Sequence, residues 1–186
     1  MVLKRFSYKN GLDIIAPCKC GTRWLERKTN PLNILSYLHT DFIQNINSKT
    51  YWVYRNGNEH LLSALKTEIR GSIDGAINDT LQDIINNFLK GGFTSTHWSA
   101  DMYKQMYIHW KKVKFNLINL NNLSDLFENI DYNYSDYNLR EYTKSPNTNE
   151  FIINVVGEAN IKILNKMVSD DEVYLYYMLI NIKNLI

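Results

Sequence analysis

Cysteine is nearly absent. The 186 residues contain two, Cys18 and Cys20, with one residue between them. A disulfide at that spacing would be badly strained. Two thiols alone make no zinc site, and no second Cys/His pair completes one. Reduced thiols in a cytoplasmic compartment are the expectation, with no metal required. Net charge is also small, +2, which argues against nucleic acid as the main partner. No apolar run reaches membrane-spanning length, and charges interrupt 1–16, so neither a span nor a signal peptide is expected. There are only three prolines, whereas Asn and Tyr are abundant; that is a bias of composition rather than of chemistry.

The length suits one domain, 1–186, with a real core. Charge is unevenly spread: the first thirty residues hold seven cationic side chains against Asp13 and Glu26. A local excess of this kind suits a small anionic ligand better than a long polyanion.

Periodicity gives the coarse organisation. Residues 2–8 and 12–16 read as a hairpin turning at Asn10-Gly11. A short helix over 22–28 is limited by Pro31. Helical spacing covers 33–46, 58–70, 74–90 (closed by Gly91-Gly92), 100–112, 123–130, 150–167 and 170–182. Strands fall at 51–54 and 115–120, and 131–143 reads as irregular. Strands alternating with helices predict an α/β domain with a central, mostly parallel sheet covered by helices.

Two segments repeat one theme. Residues 12–16 form an apolar strand, followed by Lys19, Gly21 and Thr22 at a helix start. Residues 51–54 form a second strand, followed by Arg55 and, eight positions on, Ser63. A loop leaving a strand's C-terminal edge presents backbone N–H groups and the positive end of the helix dipole. Gly21 permits close approach of a phosphate to the backbone. This is not the triphosphate P-loop, because the lysine precedes the glycine and no Ser/Thr is placed to hold magnesium. Two such elements in tandem predict a ligand with two separate phosphates.

Lys19-Cys20-Gly21-Thr22-Arg23-Trp24-Leu25-Glu26 resembles the 5′-phosphosulfate loop of the sulfotransferases that use 3′-phosphoadenosine 5′-phosphosulfate (PAPS). It combines the Pro-Lys-Ser-Gly-Thr-Thr-Trp of the cytosolic enzymes with the Lys-Gly-Gly-Thr-Arg-x-Leu-Leu-Glu of the heparan sulfate 3-O-sulfotransferases. Arg55, Asn56, Leu61, Leu62 and Ser63 are similar to the family's second signature, with Gly57 replacing the usual proline. The stretch Thr96-His97-Trp98, then 115–120 and 122–127, resembles the carbohydrate-type members. The likeness covers 12–130, the first half more closely. The chain is short for the family and lacks a clear Gly/Lys-rich segment near its C-terminus; 157–162 is a distant echo.

The resemblance implies a P-loop-type three-layer α/β/α fold and a sulfuryl transfer from PAPS, leaving PAP (3′-phosphoadenosine 5′-phosphate), to a hydroxyl of a small-molecule or glycan acceptor. It implies that Lys19 contacts the bridging oxygen or sulfuryl group. Gly21, Thr22 and Arg23 would hold the 5′-phosphate in the loop that includes Cys20, where Ser or Gly is usual. Trp24 would lie near the adenine, and Arg55 and Ser63 would hold the 3′-phosphate. The base is a histidine or glutamate whose position varies between branches. Histidine suits the task through its near-neutral pKa. His97, in a polar loop before a helix, is the first candidate and His39 the second. Glu26, His60 and His109 read as structural. Tyr132, Tyr134, Tyr137 and Tyr142 would either line an acceptor groove or pack on the domain. The competing readings are a non-catalytic nucleotide- or partner-binding relative and a small P-loop kinase-like enzyme.

Overall fold

The hairpin at Asn10-Gly11 forms. In the computed structural model, which describes residues 2–38, 46, 49–92, 94–127 and 149–183, β1 (Val2–Ser7) pairs antiparallel with β2 (Asp13–Pro17). Gly11 N donates to Tyr8 O and Tyr8 N to Leu12 O, closing the turn. Arg5 pairs with Asp13 at 2.6 Å, and Lys4 pairs with Glu26. Two of the seven early cations are therefore spent on ion pairs within the fold.

After α1 (Thr22–Lys28) the chain returns as β3 (Asn33–Leu38), an edge strand antiparallel to β1 along its whole length. This corrects the helix expected over 33–46 for its first six residues; 39–45 lie outside the described residues. Ile34, Leu35 and Leu38 fit a helical period, but pairing with β1 decides the outcome. β4 (Thr50–Tyr54) and β5 (Asn116–Asn119) add parallel neighbours beyond β2, giving the order β3-β1-β2-β4-β5. The sheet is mixed, not mostly parallel: two of its four pairings are antiparallel.

Alternation along β2 directs side chains to opposite faces. Ile14 and Ala16 pack with Phe6, Trp24, Leu25 and Val53. Ile15 packs with Trp52, Tyr103, Met106 and Met178. A further apolar cluster joins Leu61, Leu65, Ile84, Phe88, Ile152 and Leu164. Among the described residues no helix is long and apolar enough to cross a membrane.

The helices differ from expectation at their ends. α2 runs Gly57–Ile73, and α3 (Leu81–Leu89) starts later, at a capping box of Thr80 with Asp83. α4 is Met102–Lys112, and a 3₁₀ segment, Leu120–Leu126, replaces the α-helix expected at 123–130 over its described part. The last two helices break at Gly157 instead of near Ser169, as α5 (Asn149–Val156) and the long α6 (Glu158–Lys183). The second of them was expected to start at 170. However, Ser169 Oγ donates back to Asn165 O at 3.0 Å, leaving the helix intact. Asp171 instead caps another helix, accepting from Tyr103 N and Lys104 N of α4 at 2.7 and 2.9 Å.

Gly57 explains its own departure from proline. Its N–H donates to Glu172 Oε1 of α6 at 2.7 Å, a bond proline cannot make. A Cβ here would stand 2.5 Å from Val168 Cγ1. Gly57→Ala should therefore cost about 1–3 kcal/mol by overpacking. A urea midpoint equal to that of the wild type would refute this account of the α2–α6 contact.

Candidate functional site

β2 and β4 are adjacent and parallel, so the two cationic loops leave the same sheet edge side by side. In the first, Cys20 N bonds Pro17 O at 2.9 Å, making a tight turn over 17–20. Lys19 has φ 70° and Gly21 φ 81°. A left-handed lysine is uncommon and persists only where its surroundings fix it.

The surroundings here are two side chains from the second loop. His60 Nε2 donates to Cys18 O at 2.8 Å, and Arg55 Nη1 donates to Lys19 O at 3.3 Å. Consecutive carbonyls of the first loop are thus gripped by the β4–α2 junction. Arg55 is held in turn: Nε meets Glu59 Oε2 at 3.2 Å, and its carbonyl accepts from the buried Tyr103 hydroxyl. Arg55 and Lys19 therefore meet across 36 residues of sequence.

The second loop differs from the first in one respect. The start of α2 is already satisfied, because Asn56 accepts from Asn58 N and Glu59 N while Glu172 takes Gly57 N. Any anion there would depend on side chains, not on the helix terminus. Ser63 is half-buried on α2, and Lys66 follows it by three residues, one helical turn. Burial, then the nearby Arg55 charge, lowers the Lys66 pKa. Sequence reading missed Lys66, although its spacing from Ser63 was visible.

Two assigned residues turn inward. Trp24 is 1% exposed, in the core and edge-on to Phe127, so its ring packs the sheet instead of stacking on an adenine. Cys20 is fully buried, and its thiol is pushed up to about 12 by burial, so only its backbone is left for a ligand. Burial raises the Cys18 thiol as well; both cysteines are free and resist ionisation. Thr22 is buried at the start of α1, and Arg23 is exposed.

His97 lies at the same edge. Cys18 N donates to Val2 O at 3.0 Å, and Val2 N donates to Thr96 O at 2.9 Å. The loop before α4 is thus stitched through β1 to the lysine loop. His97 Nδ1 lies 3.2 Å from Glu68 Oε1 of α2, a partner not recognised in the sequence. The available signal was a carboxylate on the buried stripe His60–Ala64–Glu68.

The other base candidates separate. His39 and Tyr132, Tyr134, Tyr137 and Tyr142 lie outside the described residues. Glu26 is paired to Lys4. His109 stacks on Trp52 with its pKa lowered, chiefly by burial. His60 is structural: it is completely buried, and the bond to Cys18 O fixes the proton on Nε2. The cavity it lines with Ser99, Tyr103 and Asp171 has about 10 Å³, on the order of one water.

Burial, opposed by the Cys18 carbonyl, pushes His60 down to about 4 from 6.5. Between those values the unfolded chain binds a proton that the folded chain refuses, so stability is lost as pH falls from 6.5 to 4. The full loss is about 3 kcal/mol. Asp171, raised to about 7 mainly by burial, acts in the opposite direction. It acts equally in a His60→Gln variant, whose amide can still reach the carbonyl. Urea titrations at pH 7 and 4.5 should show the wild type losing more stability than His60→Gln. Equal losses would refute the buried neutral imidazole.

No protein-family model, no curated protein and no solved structure matches this chain.

Proposed function

We propose that the protein is a PAPS-dependent sulfotransferase acting on a hydroxyl, such as that of a carbohydrate, on a P-loop-type three-layer domain. The observation that carries this reading is the Arg55–Lys19 contact. It holds the two cationic loops together at one sheet edge, the arrangement that a single ligand with two phosphates would need. The donor set fits such a ligand: Lys19, Thr22 and Arg23 on one side, Arg55, Ser63 and Lys66 on the other. Cations and hydroxyls are the groups that suit phosphate oxygens.

In this reading Lys19 neutralises charge that develops on the oxygen between sulfur and the 5′-phosphate. His97 takes the acceptor proton as the new S–O bond forms. The S–O bond to the 5′-phosphate breaks, and its electron pair stays on the phosphate oxygen of PAP. The loops supply positioning, which dominates transfers of this type.

Calorimetry with PAP tests the donor assignment. Saturable binding is expected, and no binding at millimolar ligand ends the enzyme reading. A protein that binds PAP yet transfers to no acceptor in a broad hydroxyl panel is instead a non-catalytic relative.

A further inference from the structure

Glu68 is a buried acidic residue, and a buried charge is costly unless its partners are built around it. Two are. Ser95 Oγ donates to Glu68 Oε1, and the same oxygen faces His97 Nδ1 at 3.2 Å. Ser95 is itself fully used, because Oγ accepts from His97 N and Trp98 N, both at 3.1 Å. A serine that donates once and accepts twice has no lone pair left for attack, so this Ser/Glu/His group is not a nucleophile system. It is a mount for the imidazole.

Glu68, when ionised, can only accept. In the neutral ring the proton must then sit on Nδ1, where Thr96 Oγ1 at 3.1 Å can share it. The lone pair is left on Nε2, on the far side of the ring. The His97 side chain is 24% exposed, against 10% for Glu68. The ring therefore bridges a buried carboxylate and the surface at the edge that carries Lys19.

We propose that Glu68, held by Ser95, is a positioning residue that fixes His97 as the Nδ1–H tautomer and so presents Nε2 as the base toward the acceptor hydroxyl. This rests on the sulfotransferase reading for its chemistry, but not for its geometry. The transfer step balances as above: the acceptor proton goes to Nε2, acceptor oxygen bonds sulfur, and PAP leaves with the electron pair.

The experiment has two arms on the full chain. Long-range ¹H–¹⁵N spectra of the imidazoles read the tautomer without any substrate. The wild type should show Nδ1–H at His97, Glu68→Gln should keep it through the amide oxygen, and Glu68→Ala should lose it. Nε2–H in the wild type, or no change in Glu68→Ala, overturns the proposal. In the second arm Glu68→Ala should lower turnover roughly 10²- to 10³-fold, within the range for a lost general base. KM for the donor and PAP affinity should stay near wild type. Glu68→Gln should recover part of the rate, and Glu68→Ala/His97→Ala should be no worse than His97→Ala. Additive losses overturn the coupling. Absence of PAP binding in the wild type overturns the donor assignment separately, with the tautomer result still read.

Discussion

Lys19→Ala is expected to reduce turnover by roughly 10²- to 10³-fold, the scale of losing one preorganised stabiliser of developing charge. PAP affinity should move by less than about tenfold, roughly 1.4 kcal/mol. The asymmetry follows from where charge appears. The 5′-phosphate already bears its charge before transfer, and in the proposed reading Thr22 and Arg23 share it. The oxygen joining sulfur to phosphate gains charge only as the bond breaks, so a cation at that oxygen acts mainly on the transition state. The backbone should survive the change. Lysine and alanine are similarly strained at φ 70°, and the grip on the loop comes from Arg55 and His60 on main-chain carbonyls. Circular dichroism and a urea midpoint close to wild type would accompany the loss. If turnover and PAP affinity fell together, Lys19 would be a uniform binding residue and its assigned role would be wrong.

The two strand-loop-helix elements of the candidate site were legible in the sequence because their signals are short-range. An apolar strand, a lysine and a glycine before a helix need no knowledge of the rest of the chain. The hairpin at Asn10-Gly11 and the helix over Met102–Lys112 read for the same reason. The edge strand Asn33–Leu38 did not: its apolar residues fit either period, and pairing with β1 settles the matter. The break expected between 167 and 170 does not occur: Ser169 bonds back within the helix, and Asp171 caps a helix 67 and 68 residues away. Trp24 fell in the ligand loop by motif but in the core by helix phase. Glu68 was hidden because its meaning depends on Ser95 and His97, which reach it only through the tertiary fold. The grip of Arg55 and His60 on successive carbonyls belongs to the same class: the residues were visible, their target was not.

Arg55→Ala should weaken PAP binding by about 10- to 150-fold, from the roughly 1.5–3 kcal/mol of hydrogen bonds to a charged group. Turnover at saturating donor should fall less than about tenfold. Some loss of rate is expected, because Arg55 also donates to the Lys19 carbonyl, and removing it loosens the loop that aims Lys19. The Glu59 contact is not the reason for any loss; it is an exposed i,i+4 pair and worth little. What separates a phosphate ligand from a loop brace is the 3′-phosphate itself. The wild type should prefer PAP to adenosine 5′-phosphate, which lacks that group, and Arg55→Ala should lose most of the preference while binding adenosine 5′-phosphate nearly as before. A brace would weaken both ligands equally. Arg55→Lys adds a second comparison, since it keeps the charge but gives up the planar fork. Its affinity for PAP should fall between wild type and alanine. A preference for PAP that survives Arg55→Ala would place the 3′-phosphate elsewhere, with Lys66 on the adjoining helix α2 the next cation to test.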